Sequence, residues 1–134
     1  DEDLSRGLGD VYKRQISRGA KFVTFVEKSK ECIDVLSKNL KELDINFIIT
    51  NTAVETFIKS SINTYDIVFY DPPFEMGSDK VENEINNLVE ITRVDSFVVV
   101  HRHKASSEIE FSKNYEIHRE KNYGQSKIII LRKI

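Results

Sequence analysis

Short apolar runs alternate with segments of helical periodicity along most of this chain, and the alternation limits the folds that it can adopt. The runs that predict buried strands are residues 22–26, 47–50, 66–70 and 96–100. The segments with an apolar face at helical spacing are residues 29–43, 53–60 and 79–92. Because helices commonly connect parallel strands, the pattern predicts a single α/β domain whose mostly parallel sheet is covered on both faces.

The last part of the chain has a different pattern. Residues 115–121 and 126–132 both predict strands, and residues 122–125 between them include a glycine suited to a hairpin turn. We therefore expect the parallel sheet to end in an antiparallel hairpin. This combination is typical of the Rossmann-like class I methyltransferase fold, although a likeness of fold does not by itself give a function.

Composition excludes several classes of protein. With 40% hydrophobic and 31% charged residues, the 134-residue chain is neither disordered nor collagen-like. A single Cys excludes an internal disulfide and a Cys-based zinc site, and it favours a reducing compartment, the cytoplasm. No apolar run approaches the roughly 20 residues that cross a membrane. We expect a monomer with no membrane partner.

Charge is distributed unevenly along the chain. The net charge is −2, but residues 101–134 carry 8 Lys/Arg against 4 Asp/Glu, so that this end is at +4 and the remainder at −6. A basic end on an acidic body indicates a polyanionic partner. The candidate phosphate contacts are Arg102 and Lys104 after the last parallel strand, and Arg119 and Lys121 along a hairpin strand. A solvated surface is the competing interpretation.

His101 and His103 are separated by one residue, a spacing at which two imidazoles could bind a metal ion. Since the sequence offers no third ligand beside the pair, we expect no metal site and predict that these side chains are exposed or face RNA.

The tetrapeptide Asp71-Pro72-Pro73-Phe74 directly follows the predicted strand 66–70. In open parallel sheets, ligands bind beyond the carboxyl ends of the strands, where this tetrapeptide is expected to lie. A simple turn would also account for the aspartate and the two prolines. The strand before them and the aromatic residue after them favour a functional site.

This tetrapeptide resembles the Asp/Asn-Pro-Pro-aromatic motif of methyltransferases that modify exocyclic amines of bases. The run ISRGAKFVTFVEKS and the tail HREKNYGQSKIIILRK extend the likeness over residues 16–134. Together they resemble the RsmD-type ribosomal RNA guanine-N2 methyltransferases. The resemblance implies S-adenosylmethionine as methyl donor and, as partner, small-subunit ribosomal RNA or the ribosomal particle that contains it.

The resemblance also implies roles for individual residues. The Asp71 carboxylate and the Pro72 carbonyl would accept the two N–H groups of a guanine amino group, the prolines would stiffen the loop, and Phe74 would stack on the extruded base. Glu27, which follows strand 22–26, would accept the hydroxyls of the cofactor ribose; a charge favoured by a helix N-terminus is the alternative.

The turn that follows strand 47–50 is a further candidate cofactor contact. Thr52 and Ala53 lie where the family has its adenine-contacting turn, and Asp71 would also border the cofactor. The family commonly has Asp or Asn at the position of Thr52, so a generic turn is the competing interpretation.

Residues 1–15 lack an apolar period of either kind, and we interpret them as a non-native segment before an incomplete methyltransferase domain at 16–134. The resemblance implies a strand and a glycine-rich turn before Ile16, with that strand standing between strands 22–26 and 66–70. We expect a chain without them to leave two central strand edges unpaired, to bind the cofactor poorly and to be inactive.

Two alternatives to guanine-N2 methylation remain open. One is another amino-methyltransferase that acts on adenine N6 in DNA or on a protein glutamine. The other is an inactive fragment that at most binds RNA.

Overall fold

The structure, a computed structural model, describes residues 22–26, 46–49, 53–61, 64–73 and 75–134. The predicted helix over residues 29–43 and the proposed non-native segment 1–15 lie outside the described residues.

Strands and helices alternate through the described residues, as the sequence predicts. The elements are strand β1 (Phe22–Val26), strand β2 (Asn46–Ile49), helix α1 (Val54–Ser60), strand β3 (Tyr65–Tyr70), helix α2 (Ser78–Asn87), a short 3-10 helix (Leu88–Ile91), strand β4 (Thr92–His103), strand β5 (Tyr115–Tyr123) and strand β6 (Ser126–Lys133). The described part of the chain is therefore an α/β structure that ends in two strands.

These strands form one six-stranded sheet in the order β2-β1-β3-β4-β6-β5. The pairs β1–β2, β1–β3 and β3–β4 are parallel, whereas β4–β6 and β5–β6 are antiparallel. The predicted parallel sheet with a terminal antiparallel hairpin is thus confirmed.

The pairing at the centre of the sheet differs from what the sequence analysis predicts. Strands β1 and β3 pair directly, from Val23 opposite Ile67 to Val26 opposite Tyr70, with no strand between them. Each strand supplies the hydrogen-bond partners that the other needs, so these two edges are not left unpaired. The expectation of two unpaired central edges was wrong for these strands.

Several element boundaries also differ from the sequence prediction. The helix predicted over 79–92 ends at Asn87, and β4 begins at Thr92, whose hydroxyl donates to the Leu88 carbonyl at 2.8 Å. Strand β5 continues to Tyr123, so that only Gly124 and Gln125 remain in the turn. Gly124 has φ of +54°, a left-handed conformation that glycine adopts without steric cost.

Both faces of the central strands are buried. On one face, here called the α2 face, side chains such as Val68, Val98 and Leu131 pack with Val54 of α1 and Ile85 of α2. On the opposite face, Phe25 and Phe69 stack with ring centroids 4.6 Å apart. The remaining buried side chains of the opposite face include Val23, Ile67, Val99, Ile128 and Ile130.

Candidate active site at the carboxyl edge of the sheet

Asp71 leaves the sheet at the carboxyl end of β3. Its backbone N–H donates to the carbonyl of Val26, the last residue of β1, at 3.3 Å. Pro72 is buried and Pro73 is exposed, and the Pro73 carbonyl accepts from the N–H of Met76 at 3.0 Å to close a turn. Helix α2 begins two residues after that turn, at Ser78. The backbone of this loop is therefore held by β1 at its start and by a turn at its end.

The carboxyl ends of the four parallel strands lie at this edge. In the register of the sheet, Phe25 stands opposite Ile49 and Val26 opposite Tyr70. Ala53, just before α1, is exposed in an extended conformation. Glu27, Thr52 and Phe74, which the sequence places among the site residues, lie outside the described residues. Of the proposed cofactor contacts, the structure describes Ala53 and Asp71.

The side chain of Asp71 has a partner that sequence reasoning missed. Because Tyr70 stands opposite Val100 in the β3–β4 pair, the next residues, Asp71 and His101, lie side by side. His101 Nδ1 is 2.9 Å from Asp71 Oδ1, and His101 Nε2 is 2.7 Å from Ser126 Oγ on β6. Of the two alternatives predicted for His101, full exposure to solvent is wrong, since its side chain is only 17% exposed, whereas the prediction that it faces RNA stays a prediction. The available signal was that Asp71 and His101 directly follow the predicted strands 66–70 and 96–100.

The α2 face carries a second polar cluster behind the loop. The Tyr70 hydroxyl donates to Glu84 Oε1 of α2 at 2.6 Å and lies 3.6 Å from the Met76 sulfur. Both Tyr70 and Glu84 are buried. This hydrogen bond fixes α2 against the strand that ends at Asp71, and nothing in the sequence spacing indicated it.

Arg102 is the clearest departure from the predicted RNA contacts. Its side chain lies on the α2 face, away from Asp71, and the residue is 8% exposed. Its guanidinium donates to the Ser107 carbonyl at 2.6 Å and to Ser78 Oγ at 3.3 Å. Burial lowers the pKa of Arg102 from its ordinary value, and the nearby Tyr70 acts in the opposite direction. The predicted exposure of Arg102 was wrong because its position in β4 points it into the protein.

The other basic candidates lie near the opposite face. Lys121 stands opposite Ile128, which in turn stands opposite His101, so these three side chains form one row across the sheet. Arg119 occupies the next row, opposite Ile130, and is exposed. Lys104 is exposed, and its backbone N–H donates to Gln125 at 2.6 Å. The structure thus brings Arg119 and Lys121 to the face of the sheet that carries Asp71.

A cavity of about 210 Å³ lies elsewhere, on the α2 face. Its lining includes Arg102, Ser107, Phe111, Ile117, Lys127 and Ile129. Lys127 forms an ion pair with Glu120 at 3.1 Å in this wall. The lining includes Arg102 and His103 at the carboxyl end of β4, but it does not include Asp71 or His101.

Among the described residues, no group of three or more His, Cys, Asp or Glu side chains is placed to hold a metal ion. Within the same residues, no helix has the length and apolar character needed to cross a membrane.

Comparison with known proteins gives one family and several named relatives. Residues 3–132 match the family described as Conserved hypothetical protein 95. A ribosomal RNA small subunit methyltransferase D from Buchnera aphidicola is 33% identical over 125 residues, which are 92% of this chain and 65% of that protein. The Escherichia coli K12 protein of the same name is 30% identical, over 92% of this chain and 63% of its own length. The chain thus spans slightly less than two thirds of these relatives.

Solved structures share the fold. A Haemophilus influenzae protein described as a methylase superposes with a TM-score of 0.60 and 28% identity, covering 96% of this chain and 82% of its own. A Haemonchus contortus N-methyltransferase solved with S-adenosylhomocysteine has a TM-score of 0.72 at 11% identity, and the match covers 98% of this chain and 37% of that protein. The sheet described above is accordingly a Rossmann-like, class I methyltransferase fold.

Proposed function

The chain belongs to the Conserved hypothetical protein 95 family, which is of the RsmD type, and from that premise we propose that it methylates the exocyclic N2 of a guanine in small-subunit ribosomal RNA with S-adenosylmethionine as donor. The observation that carries the proposal is the position of Asp71. This carboxylate stands at the carboxyl edge of the sheet, is followed by two prolines, and is anchored to β1 and β4.

The chemistry required of the protein is the activation of a weak nucleophile. The lone pair of a guanine amino group is delocalised into the ring, whereas the Asp71 carboxylate and the Pro72 carbonyl can accept its two N–H bonds and favour positive charge at nitrogen. When bound, S-adenosylmethionine would supply an activated methyl group, because its sulfonium sulfur would leave with the electron pair of the C–S bond. Nitrogen forms the new C–N bond and releases one proton, to Asp71 and then to water.

The cofactor would lie where β1 and β3 end. The hydrogen bond between the Asp71 N–H and the Val26 carbonyl supports this location, because it brings the residue that precedes Glu27 against the proposed catalytic loop. Strand β2 ends at the same edge and leads to Ala53. These positions fit the proposal that Glu27 accepts the ribose hydroxyls and that Thr52 and Ala53 border the adenine.

The RNA would approach the face that carries Asp71. Arg119 and Lys121 share that face, and Lys104 is exposed in the loop that follows β4. Cations in such positions would contact phosphates and orient the RNA without reading its sequence. We place Arg102 outside this surface because its guanidinium is bonded within the protein. The partner would be small-subunit ribosomal RNA or its particle, met by a monomer in the cytoplasm.

A substrate panel tests the proposal. Turnover is measured in the chain as given and in a protein here called the extended protein, in which residues 1–15 are replaced by a strand, a glycine-rich turn and a helix typical of the family. Small-subunit ribosomal RNA, adenine-containing DNA and a glutamine peptide are each supplied with methyl-labelled S-adenosylmethionine. Label in RNA alone supports the proposal, and label in DNA or peptide identifies another amino-methyltransferase. RNA binding with no label in any substrate indicates an inactive, RNA-binding protein.

A further inference from the structure

We propose that His101 is a positioning residue that holds the Asp71 carboxylate in the orientation needed to accept the amino group of the substrate. This inference rests on the function proposed above, because it assigns a role to His101 in the same reaction. His101 does not need to touch the substrate in order to act, since its effect passes through Asp71.

Both ring nitrogens of the His101 imidazole lie within hydrogen-bond distance of a polar side chain. Nδ1 lies 2.9 Å from Oδ1 of Asp71, which directly follows β3, and Nε2 lies 2.7 Å from Ser126 Oγ on β6. The strands β3, β4 and β6 are neighbours in one sheet, with β4 in the middle. Ser126 is 4% exposed, and the side chains of His101 and Asp71 are 17% and 22% exposed. The carboxylate is therefore the member of this set that is most open to solvent.

The chemistry of the three side chains determines which of them donates in each hydrogen bond. An ionised carboxylate can only accept, so His101 donates its Nδ1–H to Asp71. A serine hydroxyl can either donate or accept, so Ser126 can satisfy Nε2 in both the neutral and the charged imidazole. His101 can thus keep its contact with Asp71 whichever of these two forms it has.

The contact leaves Asp71 able to act on a substrate. A carboxylate has about four lone-pair sites, so a hydrogen bond from His101 leaves capacity to accept an amino N–H. A fixed orientation is worth most in the transition state, where displacement of a reacting group by about 1 Å can cost roughly 100-fold in rate. Loss of His101 should therefore lower kcat and leave the KM for S-adenosylmethionine nearly unchanged.

Three substitutions at this position separate positioning from packing. In the extended protein, His101→Leu removes both hydrogen bonds and should lower kcat by about 10- to 100-fold. His101→Asn keeps an N–H donor near the place of Nδ1 and should recover part of that loss. His101→Gln can better reach the place of Nε2 and should recover less. A purely structural role predicts losses that follow thermal stability, with no advantage of Asn over Gln, and that result would overturn the proposal.

A second measurement does not depend on turnover. In the chain as given, nitrogen NMR of the His101 ring should show a proton on Nδ1, and Asp71→Ala should shift that resonance. If Nδ1 carries no proton and ignores Asp71→Ala, the positioning role is wrong even if guanine N2 is methylated. If the ring behaves as expected but the extended protein methylates no RNA, the proposed function fails, and the positioning role of His101 in that reaction fails with it.

Discussion

Asp71 is restrained through its backbone and through its side chain. Its N–H is bonded to Val26, and Oδ1 is bonded to His101, so neighbouring strands on both sides of β3 fix one carboxylate. A group held in this way can meet a substrate with little loss of conformational freedom at the moment of reaction. The proposed chemistry therefore depends on the Asp71 side chain, and the sheet holds that side chain in place.

Removing this carboxylate should separate catalysis from cofactor binding. In the extended protein, Asp71→Ala should lose most turnover, at least about 100-fold, because the substrate amino group loses its charged acceptor. Affinity for S-adenosylmethionine should stay within a few-fold when it is measured by calorimetry. Turnover close to that of the unsubstituted protein would contradict the catalytic role of Asp71.

Glu27 is proposed to act on the cofactor and not on the RNA. Glu27→Gln weakens a charge-assisted acceptor of the ribose hydroxyls, an interaction typically worth about 1.5–3 kcal/mol. Calorimetry on the extended protein should therefore show weaker binding of S-adenosylmethionine, while RNA affinity is retained. Unchanged cofactor affinity would mean that Glu27 is only a charge beside a helix.

The β5–β6 hairpin is the element that joins the basic end of the chain to the site. Ser126, in β6, contacts His101, whereas β5 carries Arg119 and Lys121 on the same face of the sheet. Two of the basic residues of 101–134, Arg119 and Lys121, thereby lie on the face of the sheet that carries the proposed reaction centre. This arrangement is suited to the placement of a polyanion over Asp71.

Charge reversal on this strand should weaken RNA binding. The double substitution Arg119→Glu and Lys121→Glu should lower affinity and flatten the dependence of log K on log salt, since fewer counterions are released on binding. Exposed Lys59 in α1 and Lys80 in α2 provide a matched control. Reversing them changes the net charge equally on the other side of the sheet. Equal effects of the two pairs would show that overall charge, and not this surface, governs binding.

Local sequence patterns predicted most of the helices and strands, but they predicted less of how these pack together in space. The strand before Asp71 and the hairpin could be predicted because runs of β-branched and aromatic residues end at prolines or at glycine. The pair of Asp71 with His101 could not, because it depends on the β3–β4 register over a separation of 30 residues. The burial of Arg102 depends on which face of β4 it occupies and on carbonyl and hydroxyl partners that the sequence does not mark.

The direct pairing of β1 with β3 predicts how the backbone amides of the whole sheet exchange with solvent. Because β1 is hydrogen-bonded on both edges and is buried, its amides should exchange slowly with solvent in the chain as given. Hydrogen exchange followed by NMR should show protection in β1 and β3 similar to that in β4 and β6. Fast exchange confined to β1 and β3 would contradict the direct pairing.

Identifying the atom that receives the methyl group is the most direct test of the proposed function. Small-subunit ribosomal RNA is incubated with the extended protein and S-adenosylmethionine that carries a deuterated methyl group, and is then digested to nucleosides for fragmentation by mass spectrometry. We predict labelled N2-methylguanosine, which Asp71→Ala should reduce to background. Label at another guanine position, on ribose or on adenine would contradict the proposal that Asp71 presents guanine N2 for methylation.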